Sequence, residues 1–144
     1  MTITQTIERT TLSNLVSNEE YCRKVLPFIK ADYFDIKEER VVFEEITNFV
    51  DKYKRIPTKI SLEIEVESRK DLTQDQHTKI VEIIQTLDAT DVDMEWLVDT
   101  TEKFCKDKAI YNAIVDGISI IDGKDKKRSA DAIPSILTDA LAVC

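Results

Sequence analysis

Only two glycines, Gly117 and Gly123, occur in the 144 residues of this chain, together with three prolines. All-β folds place glycine and proline in their many tight turns, so such folds need more of both residues. Two glycines also cannot supply the phosphate-binding loops G-x-G-x-x-G or G-x-x-x-x-G-K-S/T. The sequence therefore predicts an all-α chain without either of these nucleotide-binding loops.

The charge and length of the chain limit its partners. Its 28 acidic and 20 basic residues give a formal net charge of −8. Domains that bind DNA through its phosphates normally carry a basic face, so we expect little direct DNA binding. No apolar run approaches the roughly 20 residues of a membrane span, and no secretory leader precedes the first helix. We therefore expect a cytoplasmic chain of about one domain, with no membrane contact.

Residue types that carry chemistry are few and scattered. Cys22, Cys105 and Cys144 lie far apart without a C-x-x-C pair, and His77 is the sole histidine. Metal sites need several ligands at short spacing, and Ser-His-Asp or Cys-His catalysis would need a local motif that is absent. The carboxylate-rich segments are predicted to face solvent on helices. We predict three reduced thiols and no catalytic residue, cofactor site or metal site.

Capping residues mark several helix starts. Ser17 and Thr73 each begin the S/T-x-x-E/Q pattern of a capping box. Asp35 is predicted to cap a further helix that runs to about residue 55. Residues 2–16 are predicted to form a first helix with a frayed start. These signals predict a compact helical block ahead of the last third of the chain.

Residues 59–67 have two interpretations. Apolar residues alternate strictly here, which taken alone is typical of a strand. No second strand is visible anywhere in the sequence, and Ile60 and Ile64 would stack four residues apart on a helix. We predict a helix buried on two sides, and a strand is the alternative.

The last third of the chain, residues 91–144, carries more apolar residues than two helices bury against each other. On its first helix these residues recur at seven-residue intervals or in the neighbouring stripe: Leu97, Phe104, Tyr111 and Ile118, with Ile110, Ile114 and Ile121. Gly123 is predicted to end this helix, and Ser129 or Asp131 to cap the last one. Two helices joined by a short turn form a hairpin, which buries only one seam by itself.

The surplus apolar surface of this hairpin has two explanations. It either packs on residues 1–88 or forms an interface with another subunit. Buried interface centres are rich in aromatic and large aliphatic side chains. The interface candidates are Trp96, Phe104, Tyr111, Ile114, Ile118, Ile136, Leu137 and Leu141.

A basic turn joins the two hairpin helices. It is either a solvated loop or a contact for an acidic patch on a neighbouring subunit or a partner protein. In the second case, reversing the charge of Lys126, Lys127 and Arg128 to glutamate should weaken assembly or partner binding. The candidate contact residues are Lys124, Lys126, Lys127 and Arg128.

Several segments together resemble one protein family. They read NEEYCRKVLPFIK from residue 18, DYF from 32, RVVFEEI from 40, YKRIPT from 53, EKFC from 102, AIYNAI from 109 and AIPSIL from 132. In their order and spacing these segments resemble the N-terminal domain of DnaB-type replicative DNA helicases, in particular those of T-even phages. The resemblance covers nearly the whole chain and consists of packing patterns, not catalytic motifs.

This resemblance implies a fold and a role. It implies a globular helical subdomain at residues 1–90 and a helical hairpin at residues 91–144. It further implies that hairpins pair between subunits and build the collar of a hexameric phage helicase ring. The implied partners are a second copy of the chain, the primase of the primosome and a helicase loader. ATP and Mg²⁺ are expected only for a separate motor domain.

Two further expectations concern the extent and the class of the protein. The sequence stops inside an apolar helix at residues 141–144, so we expect it to be an N-terminal fragment of a longer helicase. The alternative is a freestanding helical adaptor or regulatory interaction module. A helix-turn-helix regulator would need a basic recognition helix, and the best candidate, residues 52–59, is short and contains Pro57.

Overall fold

The computed structural model describes residues 1–143, and every regular element in this range is helical. The α-helices are α1 (Ile3–Ser17), α2 (Glu19–Val25), α3 (Lys37–Tyr53), α4 (Lys59–Glu67), α5 (Gln74–Gln85), α6 (Met94–Ile121) and α7 (Ile133–Leu141). Short 3-10 helices occupy Leu26–Phe28, Ala31–Tyr33 and Ala130–Ala132. No strand occurs among residues 1–143, so the all-α prediction is confirmed.

The chain divides into two compact units, Met1–Thr101 and Glu102–Cys144. The first unit contains α1 to α5 and the first two turns of α6, while the second contains the rest of α6 and α7. The units therefore part inside a continuous helix, and the subdomain boundary at residue 90 stays a prediction.

Capping boxes begin three of the helices. At α5, Thr73 Oγ1 accepts a hydrogen bond from the Gln76 N–H at 3.1 Å, and Gln76 Oε1 accepts one from the Thr73 N–H at 2.9 Å. The start predicted at Thr73 is thus confirmed. Thr2 and Thr58 begin α1 and α4 in the same way. At α4 the residue that completes the capping box is Ser61, so the usual S/T-x-x-E/Q pattern does not predict this helix start.

The helix break after α1 lies one residue from its predicted position. Ser17 is the last residue of α1, and its hydroxyl donates back to Ser13 O at 2.7 Å. Asn18 instead caps α2, because its Oδ1 accepts from the Tyr21 N–H at 2.9 Å. The prediction that Ser17 caps α2 was therefore wrong. Both side chains are good caps, and the longer run of α1 decided between them.

The caps predicted for α3 and α7 were also wrong. Asp35 precedes the N-cap residue of α3, Ile36, which has no side-chain cap. The backbone N–H of Asp35 donates to Glu8 Oε2 at 2.7 Å, a contact that spans 27 residues of sequence. Neither Ser129 nor Asp131 caps α7, because a 3-10 helix runs directly into it.

The end of α6 agrees with its sequence signal. Gly123 has a φ of 75°. The Gly123 N–H donates to Ile120 O at 3.1 Å, and the Lys124 N–H donates to Ser119 O at 2.9 Å. This pair of bonds is the Schellman motif, which glycine favours because it has no Cβ to clash in the left-handed region. The prediction that Gly123 ends the helix is confirmed.

The core of the first unit is built from large apolar side chains of α1 to α5 and their connections. Phe34 is fully buried, and its ring centroid lies 5.3 Å from that of Phe43. Tyr21 shares a buried hydrogen bond of 2.6 Å with Thr101, which holds the start of α6 on this unit. The largest buried aliphatic residues are Leu12, Leu15, Ile46, Leu62, Ile80, Ile84 and Leu87.

Residues 59–67 form a helix, as predicted, but the two-sided burial was wrong. Leu62 and Val66 of α4 are fully buried. Ile60 and Ile64 are 66% and 58% exposed. The helix packs on α3 and α5 with one side only, so its second apolar stripe faces solvent.

The prediction that the carboxylate-rich segments face solvent was wrong for Glu39 and Glu45, which are buried in the first unit. Glu39 is 1% exposed, and its Oε2 accepts from Arg9 Nε at 3.1 Å. Burial raises the pKa of Glu39 above its ordinary value of 4.5, and the hydrogen bond and charge of Arg9 oppose that shift only in part. Nearby Asp35 raises the pKa further.

The raised pKa of Glu39 predicts a pH dependence of stability. The folded chain holds this proton more tightly than the unfolded chain, so protonation contributes stability that is complete below the unfolded pKa and is lost as pH rises through the folded pKa. The variant Glu39→Gln lacks this titration. Urea unfolding across that pH range should therefore show the variant gaining stability relative to the unaltered chain as pH rises. A constant difference between the two proteins would contradict the assignment.

Candidate self-association surface

One side of α6 is buried, and many of the buried side chains are small. Its buried positions recur mostly at every fourth residue, and from the middle of the helix onward they are mainly small: Leu97, Thr101, Cys105, Ala109, Ala113, Gly117 and Ile120. An α-helix turns about 100° per residue, so each step of four advances the buried side by about 40°. The buried side therefore moves around the helix along its length.

This rotation separates the residues that the seven-residue pattern had grouped. Leu97 and Phe104 are buried, at 2% and 7% exposure, whereas Tyr111 and Ile118 are 61% and 54% exposed. A seven-residue step drifts by only about 20° on a straight helix, so all four residues stay on nearly the same side. That side is covered at the start of α6 and uncovered from Tyr111 onward.

The uncovered side carries four large apolar residues, which we name the α6 stripe: Tyr111, Ile114, Val115 and Ile118. Their i, i+3, i+4, i+7 spacing places them on one helix face about 100° wide. Each is between 43% and 61% exposed. An apolar face of this kind, on a chain with many charged residues, is a candidate surface for association.

The other interface candidates lie in varied surroundings. Trp96 is exposed near the start of α6, in the first unit. Phe104 is buried and has little surface to offer a partner. On α7, Leu137 and Leu141 are exposed, and Ile136 is half-buried. Val115 was not among the predicted candidates, although it lies four residues from Tyr111 and shares its helix face.

The second unit is a helical hairpin, and Gly117 of α6 lies near Ile133 of α7. A Cβ added at Gly117 would lie 3.8 Å from Ile133 Cγ2 of α7, an ordinary van der Waals distance. Ala140 is the buried residue of α7. The hairpin therefore buries its small residues and leaves the large ones of the α6 stripe in solvent.

The turn between the hairpin helices is organised by Asp125. Its carboxylate accepts from the backbone N–H groups of Lys127 at 2.9 Å and Arg128 at 3.2 Å, and from Arg128 Nε at 2.8 Å. These contacts lower the pKa of Asp125. Arg128 also lies 3.8 Å from Asp116, so two carboxylates already neutralise it. Lys124, Lys126 and Lys127 are exposed.

The first unit has both apolar and polar clefts. An apolar cleft of about 320 Å³ is lined by Cys22, Leu26, Thr47 and Val50, among others. A wider polar groove of about 540 Å³ lies between α4 and α5 and contains Glu63, Glu67, His77 and Glu82. Within residues 1–143 no group of three or more histidine, cysteine or acidic residues is arranged to hold a metal ion.

The buried thiols give a simple test of the core. Burial raises the pKa of Cys22 to about 11, and the Glu19 carboxylate adds to this effect. Cys105 is fully buried as well. Because the thiolate is the reactive form, we expect iodoacetamide to alkylate both residues at least about tenfold more slowly in the native chain than in urea. Peptide mass spectrometry would measure this, and equal rates would contradict the burial.

Comparison with known proteins adds to this geometry. The fold defines an all-α chain that ends in a hairpin, and no helix among residues 1–143 is long and apolar enough to cross a membrane. No protein-family profile matches the chain. It is similar to a DnaB-like replicative helicase of Enterobacteria phage T4, with 29% identity over 140 residues. The alignment covers 92% of this chain and 29% of that helicase.

The similarity supports a relationship of this chain to DnaB-like replicative helicases. It agrees with the resemblance in the sequence segments described above. The chain spans less than a third of the length of this relative, so the activity and partners of a whole helicase remain proposals for it.

Proposed function

We propose that this chain is the N-terminal assembly domain of a phage replicative DNA helicase and that it builds the collar of a hexameric ring. The relationship to a DnaB-like helicase supports a role in DNA replication. The observation that carries the assembly role is the α6 stripe, an apolar helix face left in solvent on a chain with net charge −8. The proposed role is association, with catalysis left to an ATP-dependent motor elsewhere in the protein.

The stripe has the chemistry of a homotypic contact. Full burial of a large apolar side chain contributes about 1.5–3 kcal/mol. The four stripe residues are about half exposed, so burial of both copies would contribute roughly 6–12 kcal/mol. Association costs about 4–15 kcal/mol, so the two sums nearly balance. We therefore expect weak dimers of the chain alone, and tighter assembly where a larger protein raises the effective concentration.

The collar is also proposed to recruit primase, and a helicase loader is a second proposed partner. A domain at the outer layer of a ring suits this role, since it offers several equal docking surfaces around one assembly. The exposed Trp96, which lies outside the α6 stripe, is the proposed contact with such partners.

Sedimentation of the chain tests the proposal directly. Dimers that form with rising concentration and persist in high salt are expected, because apolar burial is not screened by ions. Addition of the cognate primase should shift the helicase chain into a faster-sedimenting complex. A chain that stays monomeric at every concentration, with and without primase, would contradict the proposed function.

A further inference from the structure

The outward side of α4 combines two kinds of surface. Ile60, Glu63, Ile64 and Glu67 follow the i, i+3, i+4, i+7 spacing and therefore share one helix face, which we name the α4 outer face. Its two isoleucines are among the most exposed aliphatic side chains of the chain, while Leu62 and Val66 occupy the buried side. The face is thus apolar and acidic at once, and it lacks a covering element within the first unit.

The groove beside this face strengthens its negative charge. Glu63 and Glu67 line the groove together with Glu82 of α5. No lysine or arginine is among the described residues that line it, and Lys79 of α5 pairs with Asp75 at 3.3 Å instead. A partner for this surface therefore needs an apolar group flanked by basic side chains.

The tip of the hairpin carries the complementary groups. Ile121 ends α6 and is 74% exposed. The turn that follows presents Lys124, Lys126 and Lys127, and we name these four residues the hairpin tip. Asp125 does not cancel this positive charge, since it is engaged by Arg128 and the turn backbone. The tip is an exposed isoleucine beside three exposed lysines, which outnumber the one exposed carboxylate between them, Asp122.

We propose that the hairpin tip of one copy docks on the α4 outer face of a second copy, with Ile121 against Ile60 and Ile64 and the lysines against the carboxylates. Charge complementarity selects this occupant, because both the basic tip and the acidic, apolar face occur on one chain. The inference rests on the proposed function, since it supplies a second contact for the same assembly.

The two contacts have different symmetry. The α6 stripe joins like to like, which yields closed pairs. A tip on an α4 outer face joins unlike surfaces, and such head-to-tail contacts continue from copy to copy, giving a ring where the rotation closes and a filament where it does not. Together they would extend pairs into a larger assembly. The tip contact depends on exposed charges and is therefore weakened by salt, whereas the stripe contact is not.

Charge reversal in the whole 144-residue chain tests the proposal. The tip-reversed variant is Lys126→Glu with Lys127→Glu, and the α4-reversed variant is Glu63→Lys with Glu67→Lys. Each is measured alone, the two are mixed in equal amounts, and a further chain carries all four changes. Controls with equal charge changes elsewhere are Lys30→Glu with Lys106→Glu, and Glu20→Lys with Glu65→Lys.

Sedimentation velocity measures association through both contacts, in about 0.05 M and in about 0.5 M salt. At low salt, each reversed variant should weaken association beyond the dimer about tenfold, whereas the controls should change it less than about threefold. The mixture should recover most of the loss, since the reversed tip of one variant fits the reversed face of the other. Circular dichroism confirms that each variant is folded.

The outcomes separate this inference from the proposed function. Reversed variants that associate like the unaltered chain would overturn the tip contact, and a salt-insensitive dimer would leave the stripe proposal standing. If association recovered in the chain with all four changes but not in the mixture, the tip and the α4 outer face would be in contact within one chain. That result would overturn the inference. An unaltered chain that is monomeric in both salt concentrations would overturn both proposals.

Discussion

Replacing Ile118 with aspartate should keep this chain monomeric at concentrations where the unaltered chain dimerises. Ile118 is the last residue of the α6 stripe and is 54% exposed, so the monomer loses little when it changes. In a homotypic interface the substitution would bury two carboxylates without partners, and each isolated buried charge costs several kcal/mol. We expect the dissociation constant to rise more than about 100-fold. Sedimentation equilibrium measures it.

A matched variant on the same helix tests whether the effect belongs to the stripe. Lys106 is exposed on α6 but lies outside the stripe, so Lys106→Asp adds a carboxylate to the helix without touching the proposed interface. We expect this variant to dimerise within about threefold of the unaltered chain. Dimerisation of Ile118→Asp at the same level would show that the α6 stripe is not the contact.

The Phe34→Ala variant should lose about 3–5 kcal/mol of unfolding free energy. Phe34 is fully buried and its ring lies beside that of Phe43, with centroids 5.3 Å apart. Its removal opens a cavity that the helices around it cannot close without moving. Folded domains of this size have about 5–15 kcal/mol of stability, so one substitution removes a large part of it. Urea unfolding followed by circular dichroism measures the loss.

Tyr53→Ala provides the contrast for this core prediction. Tyr53 is an aromatic residue at the end of α3, but it is 45% exposed and contacts mainly Phe49 of its own helix. Its removal should cost no more than about 1 kcal/mol. If the two variants lost similar stability, Phe34 would not be a central residue of the packed core.

Local signals in the sequence were sufficient for most of the secondary structure. The scarcity of glycine and proline predicted an all-α chain, and Thr73 and Gly123 marked helix ends that are present in the structure. These predictions succeeded because caps and glycine turns depend on bonds between residues only a few positions apart. Residues 59–67 were predicted as a helix for lack of a partner strand, and they are helical.

Distant contacts explain the errors. Asp35 has the right side chain for a cap, but its backbone N–H is held by Glu8, a residue of another helix. Ile60 and Ile64 were predicted to be buried, yet α3 and α5 cover only the opposite side of α4. Neither outcome could be derived from a local pattern, since each depends on which elements pack against the segment.

The sequence by itself determined that this chain is helical, that it ends in a hairpin, and that it resembles a DnaB-like replicative helicase. Only the tertiary structure decided which apolar residues of α6 are core. The pattern grouped Leu97 and Phe104 with Tyr111 and Ile118, because periodicity reports which residues share a side of a helix. It does not report what covers that side, and here the cover changes along α6, so the large residues of its second half remain exposed.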